Sequence, residues 1–118
     1  MREKRKFIRF EISLKTNYTI LKEPKAEKTG ITKNISAGGI QLSTEEKIDV
    51  GKKLDLKMFV PEALNPVHLT GIVLWSKNIE SDEKPSYCAG VEFGKIEEDN
   101  KNTFLRFLCN LMYAQTKK

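Results

Sequence analysis

Val67-His-Leu-Thr-Gly-Ile-Val-Leu-Trp75 is the stretch on which the fold turns. In an extended chain Val67, Leu69, Gly71, Val73 and Trp75 fall on one face. His68, Thr70, Ile72 and Leu74 fall on the other, because a strand alternates its side chains with a period of two. The near-continuous apolar run from Ile72 to Trp75 predicts burial on both sides at that end. Trp75 is accordingly expected in the core rather than on a ligand-facing rim. Pro61 and Pro66 bracket the loop that leads into the stretch, since proline cannot donate to a ladder.

The same period recurs on either side. Leu54, Leu56, Met58 and Val60 alternate against Asp55, Lys57 and Phe59. Tyr87, Ala89, Val91 and Phe93 resume the pattern after a polar turn at Ser81–Ser86. Nearer the N-terminus, Phe10, Ile12, Leu14, Tyr18 and Ile20 alternate with Glu11, Ser13, Lys15 and Asn17, which predicts one strand. A second runs from about Glu27 to Ile35, and Ile40 and Leu42 begin a third. At the C-terminal end the period changes to helical. Phe104, Leu105, Phe107, Leu108, Leu111 and Met112 form one stripe, with Glu97, Glu98 and Asp99 near its start and Lys117 and Lys118 at its end, as the helix dipole prefers. Six strands and a terminal helix with no βαβ alternation predict an all-β fold. It is a six-stranded antiparallel barrel, Greek-key or split, covering residues 10–95, with an α-helix at 96–116 across one mouth. The 118 residues make one domain, with residues 1–9 as a basic arm.

Composition narrows the function. The formal net charge is +5, but it is local: residues 1–9 carry five basic side chains and one acid, leaving the rest almost neutral. A protein coated for a nucleic-acid polymer needs a broader basic face. No apolar run spans a bilayer, and no signal-type segment follows the basic start, so a cytoplasmic location without membrane insertion is expected. Two cysteines, Cys88 and Cys109, make no disulfide framework and are expected to be partly buried spectators. One histidine, His68, leaves a zinc site without ligands and is expected as a solvated strand residue. With no Gly-rich phosphate loop and no paired carboxylates, no enzyme and no cofactor is expected.

Two segments carry the remaining chemistry. Three of the four arginines, Arg2, Arg5 and Arg9, lie in the first nine residues of a chain otherwise supplied with lysine. Guanidinium matches phosphate oxygens bidentately, stacks on flat rings and pairs with the O6/N7 edge of guanine. A merely solvated basic tail is the alternative. The second segment is Asn34-Ile-Ser-Ala-Gly-Gly39, at a strand-to-strand turn. Asn34 and Ser36 offer donors and acceptors, and Gly38 and Gly39 allow positive φ and close approach of a ligand to the backbone. An ordinary Asx- or Ser-type turn closed by glycine is the alternative there.

Arg5-x-x-x-Arg9 followed by Asn34-x-Ser36-x-x-Gly39 resembles the signature of the PilZ domain family, bacterial receptors for cyclic di-GMP. Gly71-Ile-Val-Leu-Trp75 and Gly90-Val-Glu-Phe93 resemble two further strands of that family. The likeness covers about residues 2–115, and Asn34 stands where aspartate is commoner. The resemblance implies the same six-stranded barrel with a C-terminal helix. It also implies cyclic di-GMP binding through Arg5, Arg9, Asn34, Ser36, Gly38 and Gly39. The arm is expected to be mobile until ligand orders it, creating a surface for a protein effector in trans. Proximity adds Lys4 and Arg2, whose charge would favour a second ligand, so two cyclic di-GMP molecules per chain are expected. A protein-binding adaptor of the same family that takes no nucleotide is the rival reading. The arginines argue against it, because adaptors of that kind tend to lack them.

Overall fold

The computed structural model describes residues 8–23, 27–61, 63–79, 86–96 and 98–116. Seven strands precede one helix: β1 Phe10–Glu11, β2 Lys15–Ile20, β3 Lys28–Ile35, β4 Gly39–Thr44, β5 Lys53–Met58, β6 Val67–Ile79, β7 Ser86–Ile96 and α1 Glu98–Thr116. All pairings are antiparallel. Taken in spatial order, β2, β3, β4, β7, β6 and β5 return to β2, so six strands close a barrel and leave no free edge among them. The segment between β4 and β5 crosses the barrel end, which gives the Greek-key path.

The expected first strand is split. Phe10 and Glu11 pair with the far end of β3, and the ladder resumes only at Lys15. Thr32 is the cause. Its hydroxyl donates to the Ile12 carbonyl at 2.7 Å and accepts from Leu14 N–H at 2.8 Å. Its own N–H donates to the Leu14 carbonyl at 3.0 Å. A buried threonine therefore satisfies backbone groups that a regular ladder would pair, and the chain bends there. The alternation survives the bend, since Phe10, Leu14, Thr16 and Tyr18 are all buried.

Inward residues of every barrel strand meet in one core. Ile35, Leu42, Leu54, Leu56, Met58, Val67 and Phe104 retain no exposed surface. The helix contributes through Phe104, whose ring meets Phe93 edge-on at 5.4 Å, and through Leu108. The predicted helical stripe is narrower in the structure. Phe107 and Leu111 are half-buried, and Leu105 and Met112 are exposed, because α1 touches the barrel mainly along β6 with a single row. Cys88 is buried while Cys109 is exposed, so only the first fits the expected burial. His68 is exposed and its Nε2 lies 2.6 Å from Asp55 Oδ1 on the neighbouring strand. No helix among the described residues is long and apolar enough to cross a membrane.

Candidate functional site

Two bulges shape the outer wall of the barrel. On β3, Thr32 faces Leu42 of β4, yet Asn34 already faces Gln41, so Lys33 is an extra residue. A bulge resets which way the following side chain points. Without it Asn34 would share the inward phase of Thr32. With it, Lys33 and Asn34 both stand on the outer wall and Ile35 returns to the core. The second bulge is on β6. Val73 faces Val91 of β7, and Trp75 faces Gly90, so Leu74 is the extra residue. This overturns the expected face. Trp75 does not continue the inward row of Val67, Leu69 and Val73 but lies half-buried on the outer wall. Leu74 is 53% exposed, so the run Ile72–Trp75 is not buried on both sides.

Directly paired residues of antiparallel strands share a face. Asn34 pairs with Gln41, Gln41 with Gly90, and Gly90 with Trp75. These four residues thus form one row across β3, β4, β7 and β6. Three strand spacings carry it over about 14 Å. Gly90 is required in that row, since a Cβ there would sit 2.1 Å from Trp75 Nε1. The bare backbone is the seat on which the indole lies.

Arg9 joins the row at its other end. The short β1 pairs Phe10 with Ile35 and Glu11 with Asn34. That pairing holds Arg9 on the outer side, where its Nη1 donates to Asn34 Oδ1 at 2.9 Å. The arginine segment and the Asn-x-Ser turn, 25 residues apart in sequence, are in direct contact. Arg2, Lys4 and Arg5 lie outside the described residues.

Ser36, Gly38 and Gly39 form the turn between β3 and β4. Ser36 is buried. Its N–H donates to the Gly39 carbonyl at 2.9 Å, and its hydroxyl accepts from Gly38 N–H at 3.2 Å. The Gly38 carbonyl accepts from Phe93 N–H at 2.9 Å, which ties the turn to β7. The hydroxyl is therefore engaged within the turn. Neither glycine has positive φ; among the described glycines only Gly51 does. The expected conformational freedom is not used. What Gly39 supplies is room, because a Cβ on it would lie 2.3 Å from the Val91 carbonyl oxygen.

Beyond the row, Lys33, Gln41, Trp75, Ser76, Lys77, Ile79 and Cys88 line an open cavity of about 410 Å³. The Lys77 ammonium lies 5.7 Å from the centroid of the Trp75 ring. Burial raises the Cys88 thiol above its ordinary value, and the charges of Lys33 and Lys77 partly offset that rise. Both ammoniums therefore act on the same point of the wall. Lys33, Gln41 and Lys77 carry no sequence motif. The one trace of this surface in the sequence is the apolar doublet Leu74-Trp75, which breaks the alternation where the bulge sits.

The family model described as PilZ domain matches residues 3–109. A search of curated proteins finds no match. Solved structures share the fold at low identity. The Bacillus subtilis inhibitor of motility, MotI/DgrA, has a TM-score of 0.73 at 21% identity over 99% of this chain and 55% of its own. The K. pneumonia MrkH–c-di-GMP complex has a TM-score of 0.74 at 17% identity, over 99% of this chain and 57% of its own. The PilZ domain of YcgR from Escherichia coli, with c-di-GMP, has a TM-score of 0.71 at 10% identity, over 96% and 95%. The chain thus spans little more than half the length of MotI/DgrA and MrkH.

Proposed function

This chain belongs to the PilZ domain family, and from that premise we propose that it is a receptor for cyclic di-GMP that signals to a protein effector in trans. The observation that carries the reading is the Arg9–Asn34 hydrogen bond. It unites the two motif segments at one place on the outer wall, with guanidinium and carboxamide side by side. The structures of MrkH and of the YcgR domain, both with c-di-GMP, support the choice of ligand.

In this reading Arg9 and Arg5 take phosphate and the O6/N7 edge of guanine. Asn34 offers its amide to a base edge and releases Arg9 to the ligand. Ser36, Gly38 and Gly39 act by fixing the turn that presents Asn34. Ligand fixes the segment 1–9 against the barrel, and that altered surface is what the effector meets. Two ligand molecules bind per chain, with Lys4 and Arg2 offsetting the charge of the second.

Calorimetric titration tests this directly. Cyclic di-GMP should bind at a ligand-to-protein ratio near two, and cyclic di-AMP should bind far more weakly, because adenine lacks the O6 acceptor. Equal affinity for both refutes the guanine-reading role. No binding of either leaves the nucleotide-free adaptor as the better reading.

A further inference from the structure

We propose that the groove between loop 59–66 and α1 is where a protein effector docks, through a short segment that carries an aliphatic side chain beside a carboxylate. The proposal rests on the reading that the chain signals to a protein in trans, and it names the surface and the chemistry of that contact. Shape is the first argument. On one side of the groove α1 presents Thr103, Arg106, Phe107 and Asn110. These are spaced three and four residues apart and so stack along one helix face. They run about 10 Å at the rise of a helix, the length of about three extended residues. On the other side Pro61 and Pro66 hold the course of the loop, because each fixes its own φ. Ala63 N–H closes on the Val60 carbonyl at 3.4 Å. The space between loop and helix is an open cavity of about 440 Å³, within the size range of binding sites.

Surface chemistry is the second argument. The floor is apolar: Val60 and Val67 belong to the core, and Phe107 is half-buried against it. Leu64 on the loop is fully exposed. A leucine held in water beside an apolar floor is surface left for another chain to cover. Asn65 and Asn110 border the floor with carboxamides, each able to donate to and accept from an extended backbone.

Charge names the occupant. Arg106 is the only arginine outside residues 1–9. It is exposed, and among the described residues the lining of the groove holds no carboxylate. A guanidinium beside an apolar floor favours a carboxylate, which it takes bidentately, next to an aliphatic side chain. Residues 1–9, with five basic side chains and one acid, are repelled by it and do not suit the groove. Position then links the groove to the proposed site. Arg9 joins the barrel beside the end of β3, and the groove lies at the end of β5 and the start of β6. Starts and ends alternate around an antiparallel ring, so both stand at the same mouth of the barrel. A change in residues 1–9 is made at the mouth where the effector docks.

A phage-displayed library of short random peptides would be panned against the full chain. The enriched peptide would be titrated by fluorescence anisotropy against wild type, the Leu64→Ser/Arg106→Gln double variant, and Lys101→Gln, an exposed lysine of α1, as control for charge. Leu64 and Arg106 are both exposed, so the double variant should melt as the wild type does. Enriched peptides should share Asp or Glu close to Leu, Ile or Val. The double variant should bind about ten-fold more weakly or worse, with the control within about two-fold. The same peptide with its acid replaced by the amide should lose as much on the wild type, and cyclic di-GMP titration should be alike for all three proteins. No enrichment, a consensus without an acid, or double-variant affinity within about two-fold of wild type overturns the proposal. So does a wild-type dimer in sedimentation that the double variant dissolves, since a second copy is then the occupant. Groove binding of this kind in a protein that takes no cyclic di-GMP keeps the proposal and defeats the receptor reading, whereas cyclic di-GMP binding without it does the reverse.

Discussion

Replacing Gly39 by alanine should unfasten the motif turn by a clash between two strands of the barrel wall, not by a lost ligand contact. The added Cβ would sit 2.3 Å from the Val91 carbonyl oxygen, 3.3 Å from its carbon and 3.4 Å from Glu92 Cα. All three are backbone atoms, so no side chain can swing away. Ordinary contact requires β4 and β7 to part by about 1 Å at this point. Such overpacking costs about 1–3 kcal/mol. The separation also strains the Phe93–Gly38 and Ser36–Gly39 hydrogen bonds, each contributing about 1 kcal/mol. The expected loss is about 2–4 kcal/mol, a large share of the stability of a domain this size. A melt followed by circular dichroism should drop by roughly 10 °C. Urea unfolding followed by Trp75 emission should give the same free energy at an unchanged slope. A variant within about 0.5 kcal/mol of wild type would refute the reasoning. The glycine would then be needed for something outside the fold, and the close approach of β4 to β7 would not be its reason.

Other perturbations test separate parts of the structure. Phe104→Ala should cost about 3–5 kcal/mol, because the side chain is fully buried against Phe93; Phe107→Ala, half-buried, should cost clearly less, and equal losses in urea unfolding would contradict the single-row packing of α1. Arg9→Ala and Arg5→Ala should each weaken cyclic di-GMP binding by about 1.5–3 kcal/mol with little change in melting temperature, as calorimetry and circular dichroism would show. Exposed Cys109 should react at once with a thiol reagent at neutral pH, whereas Cys88, buried and with its thiol pushed up, should react only slowly; simultaneous labelling would be inconsistent with its position. Burial also raises the Tyr18 hydroxyl. Both groups are held neutral in the fold, so their contribution is intact below pH 9 and is lost as pH rises through their raised values. The melting temperature should therefore fall in the alkaline range above pH 9, and a flat profile there would speak against that burial.

Strand count, the helix and the two motif segments were legible because they rest on periodicity and local chemistry. Leu54, Leu56 and Met58 can only alternate inward, and a helix that buries Phe104 and Leu108 needs apolar residues four apart. The closed ring was legible from the same pattern, since short strands without helices between them must pair with near neighbours. What periodicity cannot carry is an insertion of one residue. Counting by twos from Val67 puts Trp75 inside, and counting by twos from Thr32 puts Asn34 inside. Each count fails by one at a bulge, and a bulge is a property of two strands, visible only when both partners are known.

That failure falls at the proposed site. Core positions tolerate no slip, because a one-residue shift would turn every later side chain to the wrong face. In β3 the bulge shifts the phase by one, so Asn34 turns outward and Ile35 turns into the core. Lys33 faces outward with or without the bulge, and Asn34, which the bulge turns outward, is the residue that meets Arg9. In β6 the residue turned outward is Trp75, and Gly90 is bare where the indole needs to lie. Two local departures from the ladder, three strands apart, thus serve one surface. The Asn-x-Ser segment was readable as a motif but not as a geometry. Its asparagine faces outward because Lys33 is one residue too many for the strand, and its glycine is small because Val91 is close.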